Sequence, residues 1–285
     1  MKEMEILPMN YNADDYERIL VFGDIHGMFN RLMSLYEKLN VTDRDLLIFL
    51  GDYIDRGPEN VKTLKWIMRE SQKDNVVALC GNHEEMLLTD IVTGNVKINA
   101  PNTLGDIARQ KKIEPHFDDD VWVFLKSLPL SFEMEIRGQK YFFCHGGVDP
   151  DFPLDDQDPV DLLWIREKFW ALYDGDAIIV AGHTPLMLMK SDEEIQEVMS
   201  EWQSLPENSG KSLAHIIEDM VNNRYDHRRI SSSFFADEFM ALTTKDCKPQ
   251  WRRGGKILLM DTGSFFPNGY ISCVDLLSGT IWQSD

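Results

Sequence analysis

The sequence predicts an α/β fold built on parallel strands, because one pattern occurs three times within its first hundred residues. In each copy, a short apolar run typical of a buried strand is followed by a polar loop and then by apolar residues at helical spacing. Repeated strand, loop and helix units indicate a parallel sheet covered by helices. The carboxyl ends of such strands meet at one edge, so we expect the three polar loops to share a site.

The first unit predicts a strand over 18–22, the loop GDIHG at 23–27 and a helix over 31–39. Asp24 and His26 are two residues apart, so on an extended backbone both side chains leave the strand end on the same side. A carboxylate and an imidazole aimed at one point are typical metal ligands. The alternative is a strand-to-loop turn with a solvated Asp24 and an incidental His26.

The second and third units repeat this arrangement. Strands are predicted over 45–50 and 76–80, and each is followed by a polar loop that begins with glycine, GDYIDRGP and GNHE. Helical spacing resumes over 60–69 and 85–92.

Composition limits the classes of partner. The chain has 285 residues, 43% of them hydrophobic, and a formal net charge of -19. Nucleic acids and anionic membranes both require a basic footprint, so we expect neither as a partner. An anionic substrate then needs a locally positive site, which metal ions and arginines provide. The first residues contain no signal-peptide core and no 18-residue apolar run occurs, which predicts a cytoplasmic protein.

In this order, the motifs GDIHG, GDYIDRG and GNHE resemble those of the metallophosphoesterases, specifically the phosphoprotein phosphatase (PPP) superfamily. The resemblance continues with CHGG at 144–147 after a strand predicted over 140–143, and with GHTP at 182–185 after a strand over 177–181. The segment LLWIR at 162–166 is similar to one in the bacterial and phage serine/threonine protein phosphatases.

The resemblance covers about 18–188 and returns at 256–283, where strands over 256–261 and 270–281 close the fold around a hairpin turn at Ser278 and Gly279. It implies a calcineurin-like metallophosphoesterase fold, a two-sheet β-sandwich flanked by helices. We expect one domain over 1–285 with a helical insert over 189–254.

The resemblance also implies a site for two divalent metal ions, which would supply an activated water and neutralise phosphoryl charge. Imidazole, carboxylate and amide ligands suit manganese, iron or zinc better than calcium, and of these three metals we expect manganese. The first ion would be held by Asp24 and His26, and the second by Asn82, His145 and His183. The carboxylate of Asp52 would bridge the two ions.

Four further residues are expected to handle the substrate. His83 would protonate the leaving oxygen, and Asp55 would orient its ring. Arg56 and Arg166 would bind the phosphoryl oxygens together with Asn82, because a guanidinium donates two parallel hydrogen bonds to such a group. Alternatively, Asp55 only forms a turn before Arg56, and Arg166 is a surface residue of a short amphipathic helix.

The implied reaction is a one-step, in-line attack by a hydroxide that bridges the two metals, with no phosphoenzyme. Four cysteines show no CxxC spacing, so neither a zinc ribbon nor a disulfide framework is indicated. Cys80 and Cys144 end apolar strands and are expected to be buried thiols.

The insert predicts two amphipathic helices. A capping box formed by Ser191 and Glu194 opens the first, and the second covers 213–221. They would form either a lid beside the site or a hairpin that covers a sheet edge. A local basic excess would attract phosphorylated partners or pair with nearby acids; it consists of Arg224, Arg228, Arg229, Arg252 and Arg253.

Two departures point to a bacterial or phage-like member of the superfamily. Cys80 stands where many protein phosphatases have arginine, and Asp261 to Ser264 replace the SAPNYC-type segment of the eukaryotic enzymes. The predicted function is removal of phosphate from phosphoserine and phosphothreonine in a protein or peptide. The first alternative is hydrolysis of a dinucleoside polyphosphate, because the symmetrical diadenosine tetraphosphate hydrolases share related GD-x-HG, GD-x-x-x-RG and GNH motifs. The other is a phosphate-binding module without catalysis.

Overall fold

Two five-stranded sheets form the core of the computed structural model, which describes residues 11–93, 119–186, 193, 197, 200, 203–204, 206–212 and 247–285. The first sheet has the order β10-β9-β1-β2-β3, and its strands are β1 Arg18–Phe22, β2 Asp45–Phe49, β3 Val76–Ala78, β9 Ser272–Asp275 and β10 Ile281–Gln283. The second has the order β4-β5-β6-β8-β7, formed by β4 Ser131–Ile136, β5 Gln139–Cys144, β6 Ile178–Ala181, β7 Gln250–Arg252 and β8 Ile257–Leu259.

Each sheet contains three neighbouring parallel strands, and those of the first sheet are the strands of the three repeated units. In the first sheet β1 pairs in parallel with β2 and β2 with β3, and in the second β5 pairs with β6 and β6 with β8. The remaining strands are antiparallel additions. The predicted hairpin turn is confirmed between β9 and β10, where Gly279 has φ 73°.

The described helices are α1 Phe29–Leu39, α2 Asn60–Glu70, α3 Asn82–Thr93, α4 Asp119–Ser127, α5 Pro159–Trp164 and α6 Glu167–Leu172. The expected start of α3 was wrong. The helix begins at Asn82, three residues before the predicted boundary, and the Glu85 amide donates to the Gly81 carbonyl oxygen. The motif GNHE therefore forms the first helical turn, and its polar side chains line the site instead of facing solvent.

Alternating side chains along the strands build two apolar layers. Ile19 and Val21 of β1 belong to the layer between the sheets, together with Phe132 and Phe143 of the second sheet. Leu20 and Phe22 point to the opposite face, where helices cover the sheet. Successive side chains of a β-strand point to opposite faces, so a strand that is buried on both faces supplies apolar side chains to both layers. This arrangement confirms the predicted sandwich flanked by helices.

Most of the predicted insert lies outside the described residues, including the capping box at Ser191 and Glu194 and the second helix over 213–221. Residues 193, 197, 200, 203 and 204 are helical. Arg224, Arg228 and Arg229 also lie outside the described part, whereas Arg252 is buried and Arg253 donates to the Tyr173 carbonyl oxygen at 3.1 Å. None of the helices in the described ranges is long and apolar enough to cross a membrane.

Replacing Phe49 by alanine should lower the free energy of unfolding by about 3–5 kcal/mol, because the side chain is 1% exposed and stacks on Phe22 at 4.5 Å. Urea unfolding measures this loss. Phe152→Ala is the matched control, because that ring is 54% exposed. Equal losses for the two variants would contradict the assignment of Phe49 to the core.

Candidate active site

The loops after the parallel strands of both sheets meet around the carboxylate of Asp52. His145 Nε2 lies 3.3 Å from Asp52 Oδ1, and His26 Nε2 lies 3.5 Å from Asp52 Oδ2. Two groups of possible metal ligands share this carboxylate, and within each group the ligand atoms lie within 4.8 Å of one another. The groups are His26, Asp52 and His83, and Asp52, His145 and His183.

Two of these histidines have a defined orientation. His26 Nδ1 lies 3.0 Å from the Ile54 carbonyl oxygen, and His145 Nδ1 lies 3.0 Å from the Leu50 carbonyl oxygen. A carbonyl oxygen only accepts, so each Nδ1 carries a proton and each ring turns Nε2 toward Asp52. A backbone carbonyl that fixes the ring in this way is the usual second partner of a metal-ligating histidine.

Asn82 and His183 complete the second group of polar atoms. Asn82 Oδ1 lies 2.8 Å from His145 Nε2 and 3.0 Å from His183 Nδ1. His183 Nε2 is buried and has no hydrogen-bond partner among the described residues. Burial also keeps the pKa of His183 well below its ordinary value, an effect reinforced by Arg166 and His145, so its ring is neutral.

This donor set fits divalent cations. His145 Nε2 lies 2.8 Å from Asn82 Oδ1 and 3.3 Å from Asp52 Oδ1, while the buried His183 Nε2 beside them has no hydrogen-bond partner among the described residues. Burial and the nearby carboxylates of Asp261 and Asp52 raise the pKa of Asp24 well above its ordinary value. A cation removes both conflicts, since it attracts lone pairs and stabilises neighbouring carboxylates.

Asp24 lies at the same centre, although it is absent from the two groups of three. Its Oδ2 is 3.9 Å from His26 Nε2, and its carboxylate accepts the backbone amide of His183 at 3.1 and 3.2 Å. The loop after β1 is thereby joined to the loop after β6. All six predicted ligands are thus brought together; their roles as ligands stay predictions.

His83 and Asp55 form a hydrogen-bonded pair beside this centre. His83 Nδ1 lies 2.8 Å from Asp55 Oδ2, whereas His83 Nε2 faces Asp52 Oδ2 at 3.9 Å and Arg56 Nη2 at 3.5 Å. Burial disfavours the imidazolium, but Asp52 and Asp55 outweigh it and raise the pKa of His83. A raised pKa keeps a proton on this ring, as a proton donor requires.

Arg166 is directed to the centre from the opposite sheet. It precedes α6, and burial lowers the pKa of its guanidinium, opposed by the carboxylates of Glu167, Asp261 and Asp24. Arg166 is only partly exposed and the carboxylates of Asp261 and Asp24 are near enough to act on its pKa, which disfavours the alternative of a surface residue on an amphipathic helix. Asp55 contacts His83 directly, so it does more than form a turn.

Several backbone positions at the site are strained. Positive φ angles of 49 to 68° occur at five site residues: His26, Asp52, Asp55, Arg56 and His183. Non-glycine residues rarely adopt this region, at a cost of about 1–3 kcal/mol each. The chain also approaches itself closely, because a Cβ at Gly81 would lie 2.2 Å from Asp52 Oδ1 and one at Gly182 would lie 2.2 Å from Asp24 Oδ1.

The sequence did not assign three residues that the structure places here. Buried Glu84 accepts the backbone amides of Asp52 at 2.8 Å, Tyr53 at 2.9 Å and Gly81 at 3.0 Å. Asp261 is buried, and its pKa is raised to about 6 by burial and by Asp52. Phe265 packs edge-on against His26 at 5.2 Å. An acidic residue directly after GNH was the available sequence signal for Glu84.

The thiols take no part in this arrangement of polar atoms. Cys80 and Cys144 are both fully buried, as predicted, and burial raises the pKa of the Cys144 thiol far above its ordinary value. A thiol that stays protonated is a poor nucleophile.

Comparison with known proteins agrees with this geometry. The serine/threonine-protein phosphatase 2 of Salmonella typhimurium is 32% identical over 178 residues, which cover 60% of this chain and 78% of that protein. The symmetrical bis(5'-nucleosyl)-tetraphosphatase of Buchnera aphidicola is 32% identical over 129 residues, 45% of this chain and 43% of that protein. A crystal structure described as a candidate diadenosine tetraphosphatase shares the fold, with a TM-score of 0.56 and 17% identity over 93% of this chain and 92% of that one.

The family model for calcineurin-like phosphoesterases matches residues 17–207, the part of the chain that supplies every predicted metal ligand. The resemblance to the PPP superfamily is thereby confirmed, and the chain belongs to the calcineurin-like phosphoesterase family.

Proposed function

We propose that this metallophosphoesterase removes phosphate from phosphoserine and phosphothreonine in proteins. The observation that carries the proposal is the pair of His83 and Asp55, joined at 2.8 Å beside the candidate metal ligands. Serine and threonine leave as strongly basic alkoxides, which need a proton in the transition state. A nucleotide phosphate leaves as a far less basic anion, so an oriented proton donor matters more for the protein substrate.

Each polar side chain then has a defined task. His83 donates its Nε2 proton to the leaving oxygen, and Asp55 accepts from Nδ1 and holds the ring in that orientation. Arg56 and Arg166 bind the phosphoryl oxygens from opposite sides, with Asn82 as a further contact. Two divalent ions, for which we propose manganese, would be held by Asp24, His26, Asp52, Asn82, His145 and His183, and would supply water activation and charge neutralisation.

The relatives support the same preference. The Salmonella protein phosphatase shares 178 aligned residues with this chain, whereas the Buchnera tetraphosphatase shares 129 at the same identity. Because the latter is a genuine sequence relative, dinucleoside polyphosphate hydrolysis is the second candidate. We also propose that residues 1–285 form one domain, with a helical insert over 189–254, and that the protein acts in the cytoplasm.

The candidate bridging residue should be indispensable. Asp52→Asn should lower kcat/KM for p-nitrophenyl phosphate by more than about 100-fold, because an amide lacks the charge that binds two cations. Metal content, measured by elemental analysis, should fall in parallel. Cys144→Ser is the control and should retain most activity, since no step uses a thiol. Full activity of Asp52→Asn would contradict the proposed centre.

The proton donor makes a separate prediction. His83→Asn should lower kcat for a phosphoserine peptide by about 100- to 10,000-fold. The loss for p-nitrophenyl phosphate should be much smaller, because nitrophenolate leaves without protonation. Asp55→Asn should show the same dependence on the leaving group with a smaller loss. Equal losses for the two substrates would show that His83 does not act as the acid.

The substrate class follows from a direct comparison of kcat/KM for a phosphothreonine peptide and for diadenosine tetraphosphate, both with manganese-loaded protein. We expect the peptide to be preferred by about 100-fold or more, equivalent to roughly 2.7 kcal/mol of transition-state binding. A preference of that size for the dinucleotide would replace the first function with the second.

A further inference from the structure

A partly exposed phenylalanine lies against the candidate phosphate-binding arginine. Arg56 Cζ stands 4.7 Å from the centre of the Phe265 ring, within the range of a cation–π contact. The same ring packs edge-on against His26 at 5.2 Å, and Phe266 packs against it at 4.2 Å. Phe265 therefore contacts both the phosphate-binding side and the metal-binding side of the site.

The segment 263–270, which we call the Phe265 loop, connects β8 to β9 and is held by an arginine outside the site. Arg31 of α1 donates from Nη1 to three carbonyl oxygens of this loop, Ser264 at 2.5 Å, Phe266 at 3.3 Å and Gly269 at 2.8 Å. A single guanidinium that bridges the two ends of a loop fixes its path, because several hydrogen bonds share one rigid donor group.

Arg56 has a reason to need such support. It is exposed and follows Asp55 in a left-handed backbone conformation, with φ 68° at both residues. A long, exposed side chain loses rotamer freedom when it binds a ligand, and this loss weakens binding. A flat aromatic ring beneath the guanidinium restricts that freedom before the ligand arrives.

We propose that Phe265 is a positioning residue for Arg56, and that Arg31 holds the Phe265 loop in the position that this contact requires. The inference rests on the proposed phosphate-binding role of Arg56. Arg31 of α1 thus acts on the Phe265 loop, and Phe265 in turn acts on Arg56, which binds the phosphate.

The first test uses manganese-loaded protein with p-nitrophenyl phosphate for kinetics and inorganic phosphate for calorimetric binding. Phe265→Ala should raise KM about 10-fold and the phosphate Kd in the same proportion, with kcat changed less than about 3-fold. Phe265→Tyr should restore both values, because it retains the ring. Phe265→Leu should restore neither fully, because it fills space without an aromatic face.

A double-mutant cycle identifies the residue through which Phe265 acts. In an Arg56→Ala background, Phe265→Ala should have no further effect on KM or on phosphate affinity. Undiminished effects there, or loss of bound manganese in Phe265→Ala, would mean that the ring acts through His26 and would overturn the inference. Phosphate binding requires no turnover, so this readout does not depend on the proposed hydrolysis.

The two proposals fail in different ways. If Arg56→Ala leaves phosphate affinity unchanged, the proposed role of Arg56 is wrong, and the inference falls with it. If Arg56→Ala weakens binding but Phe265→Ala does not, only the inference is wrong.

Two arginine variants, one of them a matched control, test whether Arg31 holds the Phe265 loop. Arg31→Gln should raise KM by about 3- to 10-fold, which is part of the rise expected for Phe265→Ala. In the Phe265→Ala background, Arg31→Gln should raise KM no further. Arg44→Gln removes an exposed arginine that pairs with Glu17 and should leave KM unchanged. A loss of thermal stability in Arg31→Gln without a rise in KM would show that Arg31 only stabilises the fold.

Discussion

The position of the Asp52 carboxylate is the constraint on which the rest of the site depends. Three histidine Nε2 atoms approach it at 3.3, 3.5 and 3.9 Å, from loops that follow strands of both sheets. Burial alone would raise its pKa, but the surrounding histidines hold the pKa of Asp52 well below its ordinary value. Glu84 fixes the loop itself by accepting three backbone amides. A buried carboxylate held by three backbone amides thus positions a second carboxylate, toward which histidines after strands of both sheets are turned.

Strained backbone conformations are concentrated around Asp52. Of the five site residues with positive φ, three lie in the loop after β2 and one lies in each of the loops after β1 and β6. Each of these loops follows a strand that is buried in the core. The fold tolerates these strained backbone conformations because the strands that carry the loops are fixed by apolar contacts on both faces. The same geometry explains Gly81 and Gly182, since any Cβ would displace a site carboxylate.

Local patterns in the sequence predicted the parallel strands and the residues at their ends, because burial and polar loops leave a short-range signal. The sequence did not reveal that GNHE is helical, since its apolar spacing begins only after the motif. Glu84, Asp261 and Phe265 were not assigned because their partners are distant in sequence or are backbone amides, which no pattern of side chains records. The hydrogen bonds of Arg31 span 233 to 238 residues and have no local signature.

Substrate selection must come from outside the metal centre, because a phosphoprotein and a dinucleoside polyphosphate offer it the same phosphoryl group. They differ in the leaving group, to which we propose that His83 gives its proton, and in the bulk attached to it. Two aromatic side chains border the candidate metal ligands. Trp164 is 37% exposed and edge-on to His183 at 5.8 Å, and Phe265 lies on the opposite side of the centre, against His26. We propose that an oriented proton donor and these two aromatic side chains together favour a narrow alkyl phosphate on an extended chain, as in a phosphorylated serine or threonine.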